Sequence, residues 1–198
     1  MKIPKIVDYE QIKAEIAREA IWVFFDQGYN NATLGDIAAK CGIGRTTLYS
    51  YFKNKEDILF YSLKREYEKF LAEQKSLFEA QDITSLEKMK TFIANVIRDH
   101  NKYFMLVIFT EVWLLLKAKN PQFELSFRHR MGEVRLLFKN LIKEAVSIGE
   151  IKPVDHEALS SILFGLVEGV LLEKAWNQEM KIEAHLQAIY LLLDGLAV

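Results

Sequence analysis

Apolar positions in this chain recur at helical spacing almost from end to end. Ile12, Ile16, Ala20, Val23 and Phe24 fall on one stripe of a first helix over about Asp8 to Gln27, and Gly28 follows as a C-terminal stop. A second helix begins after Thr33, an N-cap with Asp36 placed to close a capping box, and ends at Gly42. A third, short helix covers Arg45 to Phe52, and a fourth starts after Asn54 and runs to about Phe78. Thr84 with Glu87 caps a fifth. The sixth, about Asn101 to Lys119, is apolar nearly all round and is expected at the centre of its unit. Asn120 and Pro121, a cap followed by proline at the first helical position, open a long seventh that Gly149 ends. Asp155 caps an eighth, to about Trp176, and a ninth runs from about Lys181. Only three prolines occur, and no run alternates long enough to predict a strand. The pattern predicts an all-α protein of about nine helices. Its three-helix head covers residues 1–53, and the fourth helix joins it to a larger helical body over residues 54–198.

Composition narrows the class. Apolar residues make up 51% and charged residues 27%, as in ordinary globular proteins. No apolar signal segment opens the chain, and the longest nearly uncharged run, Tyr103 to Leu116, is interrupted by Glu111. That run is shorter than the ~20 residues a bilayer demands. A cytoplasmic protein with no membrane partner is expected. The lone Cys41 excludes an internal disulfide and, beside Gly42, is expected to pack rather than to sense redox state. Net charge is −1, but unevenly spread: residues 1–55 hold eight Lys/Arg against six Asp/Glu. From Ile37 to Lys55 there is no acidic residue, while Lys40, Arg45, Lys53 and Lys55 are present. A basic patch on a neutral chain fits a compact DNA-reading head.

The segment Thr33 to Leu59, TLGDIAAKCGIGRTTLYSYFKNKEDIL, concentrates this chemistry. Ile37 and Ala38 face inward from the second helix. Gly42 supplies a left-handed turn, Ile43 plugs beneath it, and Gly44 caps the third helix. Leu48 and Phe52, four apart, anchor that helix from within. Arg45, Thr46, Thr47, Tyr49, Ser50 and Tyr51 then point outward, a set suited to phosphates and base edges. Lys55 stands at the positive end of the fourth helix, where a bound phosphate would explain a cation; a solvated lysine offset by Glu56 and Asp57 is the alternative.

These residues resemble the helix-turn-helix signature of the TetR/AcrR family of regulators. The resemblance rests on Thr33, Ile37–Ala38, Gly42–Ile43, Thr47–Leu48–Tyr49, Tyr51–Phe52, Lys53–Asn54–Lys55 and the upstream FFDQGYNNAT, about 50 residues in order and spacing. It implies that Thr33, Tyr49 and Lys55 contact phosphates. It places Arg45, Thr46, Thr47 and Tyr51 on the groove-facing surface. It also implies a homodimer through the last two helices and a ligand cavity in the body. The chain departs from the family pattern at Gly44, often serine or threonine there, and at Thr46, frequently glycine. A hydroxyl contact is lost at the first, and base preference cannot be copied from relatives at the second.

In the body, Ala158, Ile162, Gly165, Gly169, Leu172 and Trp176 form one stripe of the eighth helix, and Ile182, Leu186, Ile189, Leu193 and Leu196 form one of the ninth. A four-helix dimer interface through Ile162, Gly165, Gly169, Leu172, Trp176, Leu186, Ile189 and Leu193 is expected. Phe104, Ile108, Glu111, Trp113, Phe127, Met131, Phe164 and Glu168 are the expected lining of an effector pocket. A carboxylate at Glu111 or Glu168 needs a partner, an arginine or lysine of the chain, solvent, or an effector. His100, His129, His156 and His185 lack metal-ligand spacing, and no catalytic motif appears, so no metal, cofactor or catalysis is expected. The reading is a transcriptional regulator, a repressor released from a palindromic operator by a small-molecule effector. A helical protein-interaction module without DNA or ligand is the alternative.

Overall fold

The computed structural model describes residues 8–99, 110, 112–115 and 120–198, without the side chains of residues 122, 123, 126 and 127. The chain divides into two compact units, Met1–Ala72 and Glu73–Val198. The first takes in the whole of the segment read as the head and most of the helix that follows it.

In the first unit, α1 (Tyr9–Gln27) starts on Asp8, whose carboxylate accepts the Glu10 N–H at 3.1 Å, and stops at Gly28 with φ 75°. Its inner stripe buries Ile16, Ala17, Ala20, Ile21, Val23 and Phe24. Thr33 caps α2 (Leu34–Lys40) through the full capping box with Asp36. The chain then turns over Gly42 at φ 66°. The Gly42 N–H donates to Ala39 O at 3.1 Å and the Ile43 N–H to Ala38 O at 3.0 Å, the paired bonds that close a helix C-terminus around a left-handed residue. This turn aims α3 (Arg45–Tyr51). α4 (Lys55–Glu79) is capped by Asn54, whose Oδ1 accepts the Asp57 N–H at 2.7 Å. Phe24, Ile37, Leu48, Ile58 and Leu59 are fully buried in this core. Ser62 is buried too, its hydroxyl 2.9 Å from Ala17 O and 2.8 Å from Ile58 O, tying α4 to α1.

The second unit holds the end of α4, α5 (Ser85–Arg98), α6 (Pro121–Ser147), α7 (His156–Trp176) and α8 (Ile182–Asp194). Thr84 and Asp155 cap α5 and α7, accepting the Glu87 and Ala158 N–H groups at 3.2 and 2.8 Å. Of the segment expected as a sixth helix, residues 110 and 112–115 are described and helical, and Val112 is fully buried. Among the described residues α5 is the central element, packed on α6, α7 and α8 alike. It buries Met89, Phe92, Ile93, Ala94 and Ile97. The Phe92 ring lies 5.4 Å from Phe78 and 5.2 Å, edge-on, from Phe138.

Among the described residues no strand forms; Ile151 makes one isolated antiparallel bridge with Ala197. The Lys152 N–H donates to Leu196 O at 2.8 Å, so the chain's end is strapped to the turn between α6 and α7. Glu150 of the same turn accepts the Leu86 N–H at 3.0 Å at the start of α5. None of the described helices is long and apolar enough to cross a membrane.

Phe92→Ala removes the ring that joins three elements of the second unit. It should destabilise that unit by about 3–5 kcal/mol in urea unfolding; a loss below about 1 kcal/mol would mean the ring does not sit at the packing centre.

Candidate nucleic-acid interface

The exposed surface of the head is built on α3. Leu48 is fully buried and Phe52, its C-cap, is 3% exposed, so this short helix is pinned by the pair predicted to anchor it. Thr46, Thr47 and Tyr49 project into solvent, Tyr49 with 57% of its surface exposed. The Ser50 hydroxyl is turned back onto Thr47 O at 2.6 Å. Ile43 is half-buried beneath the turn, as its role there requires.

Arg45 is held against α2. A Cβ added at Gly35 would stand 2.9 Å from Arg45 Cζ and closer still to Nη2, so the guanidinium lies directly on the Gly35 backbone. Beside it is Asp36. The Thr33 hydroxyl, at 2.6 Å, and then the Thr33 N–H, at 2.9 Å, hold the Asp36 carboxyl below the usual carboxylate range, and Arg45 pulls in the same direction. Thr33, Asp36 and Arg45 thus form one polar cluster at the start of α2.

Two of the expected contact residues also pack within the head. The Tyr51 ring, predicted to face the groove, is half-buried and stacks on Tyr9 of α1, centroids 4.8 Å apart, while the Tyr9 hydroxyl donates to Ser50 O at 3.2 Å. Lys55, expected at a phosphate, is half-buried. Its Nζ donates to Tyr29 O at 2.5 Å, Ala32 O at 2.8 Å and Asn30 O at 3.2 Å, and lies 4.5 Å from the Tyr29 ring centroid. A freely solvated lysine does not describe this arrangement. Cys41 is half-buried, and burial, then Glu19, pushes its thiol up from the ordinary range, the opposite of what a reactive thiolate needs.

The body carries two further surfaces. A cleft of about 410 Å³ is lined by Trp113, Met131, Phe164 and Glu168, four of the residues predicted for the pocket, together with Gly132, Arg128 and Arg135. Phe104, Ile108 and Glu111 lie outside the described residues, as does the Phe127 side chain. The Arg135 guanidinium sits 4.8 Å over the Phe164 ring. Burial raises the Glu168 carboxyl, and the charge of Arg135 opposes that rise, so an arginine of the chain is its neighbour. Sequence reasoning missed both arginines, since neither interrupts an apolar run.

The second surface is apolar. On α7, Ile162 and Trp176 are 63% and 72% exposed, and Gly165 and Gly169 open onto empty space with Leu172 half-covered between Gly169 and Trp176. On α8 the expectation needs correcting. Leu186, Ile189 and Leu193 are buried to within 4% in the chain's own core, because α8 turns that stripe toward α5. The exposed apolar residues of α8 are Leu191 and Leu192, at 73% and 63%. Among the described residues no cluster of His, Cys, Asp and Glu gathers to hold a metal ion.

The sequence profile of bacterial regulatory proteins of the tetR family matches residues 15–61. The fatty acid metabolism regulator protein of Bacillus subtilis is 25% identical over 170 residues, 83% of this chain and 84% of that protein. A solved Clostridium perfringens structure, described as a candidate fatty acid metabolism regulator, shares 26% identity. It covers 92% of this chain and 98% of its own, with a TM-score of 0.74. The chain belongs to the TetR/AcrR family. FadR of Bacillus subtilis, solved in complex with stearoyl-CoA, has the same fold, with a TM-score of 0.74 at 24% identity over 94% of this chain and 97% of its own. Relatives of this chain are transcriptional regulators, and the helix-turn-helix of a TetR-family DNA-binding regulator is what α2 and α3 form.

As a TetR-family head, this one depends on Gly35 for the seat of Arg45. Gly35→Ala should leave the melting temperature unchanged or raise it, because alanine is favoured over glycine in a helix by up to about 1 kcal/mol. The same variant should alter operator preference, because the guanidinium must leave its seat. Unchanged preference in a binding-site selection would show that this seat does not orient Arg45.

Proposed function

We propose that this chain is a homodimeric repressor whose two heads bind the half-sites of a palindromic operator, and that a small-molecule effector held in the body releases it. The observation that carries the reading is the outward face of α3 with the Thr33 corner of α2. Arg45, Thr46, Thr47 and Tyr49 are exposed together on a helix that Leu48 anchors from behind, and Thr33 is exposed at the start of α2. Arg45, at the N-terminal end, is the base reader, since that end of a recognition helix enters the major groove. Thr33 and Tyr49 contact phosphates.

Two heads are required because a seven-residue helix reads few base pairs, and dimer symmetry places two copies on half-sites about 34 Å or a multiple apart. The exposed stripe of Ile162, Gly165, Gly169, Leu172 and Trp176 on α7, with Leu191 and Leu192 exposed on α8, supports the dimer, because apolar surface of this kind is costly to leave wet. The two glycines let a partner helix approach closely.

The effector class we assign is a fatty acyl thioester. Support comes from the fatty acid metabolism regulator that matches most of this chain, and from the stearoyl-CoA held by a protein of the same fold. The cleft fits such a molecule in kind. Trp113, Met131 and Phe164 offer apolar surface, and Arg128 and Arg135 offer positive charge to phosphates. An effector that binds better to a body conformation incompatible with DNA shifts the population off the operator.

Selection of bound sequences from a random duplex pool should return a palindrome, and a single unsymmetrical half-site would overturn the dimeric reading. Arg45→Ala and Tyr49→Ala should weaken that site by about 1–3 kcal/mol each, and unchanged specific binding would overturn the interface. Gly165→Arg should shift sedimentation from dimer to monomer and abolish operator binding with it. Stearoyl-CoA should release the wild-type complex at lower concentration than it releases Arg135→Ala. Equal response would remove Arg135 from the effector site.

A further inference from the structure

Three charged groups line the body cleft among the described residues, and the functional reading uses only the two arginines. Arg128 and Arg135 lie on one side of α6, and Glu168 stands one helical turn after Phe164 on α7. Their surroundings differ in a graded way. The Arg128 side chain is 71% exposed and paired with Glu124 at 2.8 Å. Arg135 is exposed too, with its guanidinium over the Phe164 ring. Glu168 is half-buried, and Phe164 is buried. The cleft therefore carries cations where it is wet, a carboxylate where it is half dry, and apolar surface from Trp113, Met131 and Phe164 beside that carboxylate.

Two influences act on the Glu168 carboxyl among the described residues. Burial raises it, and the charge of Arg135 opposes the rise. No hydrogen-bond donor of the chain is among them. A partly desolvated carboxylate without a donor is costly, so this position favours a ligand that brings one. It also penalises a ligand that brings a second carboxylate, because like charges in a shared site oppose each other.

We propose that Glu168 is a specificity-determining residue, which accepts an amide N–H from the arm of an acyl thioester and repels the carboxylate of a free fatty acid. The inference rests on the reading of the effector as a fatty acyl thioester. A coenzyme A thioester has phosphates at one end, an arm with amide groups in the middle, and a neutral link to the acyl chain. Laid in the cleft with its chain on Trp113 and Phe164, it sets its amides at Glu168 and its phosphates at the exposed arginines. A free fatty acid carries its charge directly on the chain. Burying that chain on the same rings brings the acid to Glu168, short of the wet end of the cleft. The arginines alone would accept either ligand, so the choice between them falls to Glu168.

Titration calorimetry on the full chain tests this, with stearoyl-CoA and stearate as probes, each kept below its micelle concentration. Wild type should bind the thioester more tightly than the acid. Glu168→Gln keeps the shape of the side chain and removes its charge. It should weaken stearoyl-CoA by roughly tenfold, the scale of one charge-assisted hydrogen bond, and should tighten stearate. Glu168→Ala, which has no acceptor left, should weaken the thioester further and still admit stearate better than wild type does. Opposite movement of the two affinities is the decisive reading, since a merely structural role would weaken both together. Parallel losses, with or without a lowered melting temperature, overturn the inference, as does an unchanged ratio. Stearate bound more tightly by wild type than by Glu168→Gln overturns it as well, because Glu168 would then hold the acid rather than refuse it. Wild-type protein that binds neither probe would overturn the acyl reading and this inference with it. Wild type that binds stearoyl-CoA, with a Glu168→Gln ratio unchanged, would overturn the inference alone.

Discussion

A helix of seven residues does not hold itself. Isolated helices shorter than ~12–15 residues are marginal in water, and α3 buries only Leu48 along its length. Its shape and direction are therefore imposed from outside. The Gly42 turn delivers it, Leu48 and Phe52 sink into the core, Tyr51 stacks on Tyr9, and the Asn54 cap starts the next helix two residues after Phe52. Every outward side chain that could touch DNA inherits its position from these contacts. The side chains that fix α3 and those left free to bind are consequently different ones, and the division cuts across residue type. Tyr49 is exposed while Tyr51, two positions on, is committed to packing.

The same division governs charge. A count of lysines and arginines treats all cations alike, but the head spends some of them inside. Lys13 lies over the rings of Tyr61, Phe52 and Tyr9 at 4.7, 5.5 and 5.9 Å, and Lys55 lies on Tyr29 and the carbonyls beside it. Such cations stabilise aromatic packing more than they project a field. The exposed cations along the acid-free segment are Lys40, Arg45 and Lys53. The positive surface offered to a phosphate backbone is therefore smaller and more local than the residue count implies, and it is centred on the start of α3.

What could be read from the chain was local in sequence. Thr33 with Asp36, Thr84 with Glu87, and Asp155 with Ala158 all form the bonds their spacing predicts, because a cap is decided within one turn. Gly42 and the inward Leu48–Phe52 pair are of the same kind. What the spacing could not show was partners far away along the chain. Lys55 and Tyr51 face outward on a helical wheel, yet their neighbours are 23 to 26 and 42 residues earlier. Leu186, Ile189 and Leu193 failed differently. The last helix has two apolar faces, and periodicity identifies an apolar face without naming what covers it. The richer face went to α5, leaving Leu191 and Leu192 outside.

That allocation has a consequence in α7. Phe164 and Glu168 look into the cleft, and Gly165 and Gly169, each one residue later, open onto the proposed partner. Successive residues on a helix point about 100° apart, so the surfaces proposed for the effector and for the second copy are two neighbouring faces of one rigid element. A helix shifts as a body rather than bending residue by residue, and close-packed surfaces have few alternative arrangements. On that proposal, an occupant of the cleft that displaced Phe164 would also move the glycine face. Glycines make that face sensitive, since a partner helix seated on them has little side chain to absorb a displacement. On the function proposed above, coupling between effector and dimer needs no pathway of intermediaries, because α7 carries both surfaces.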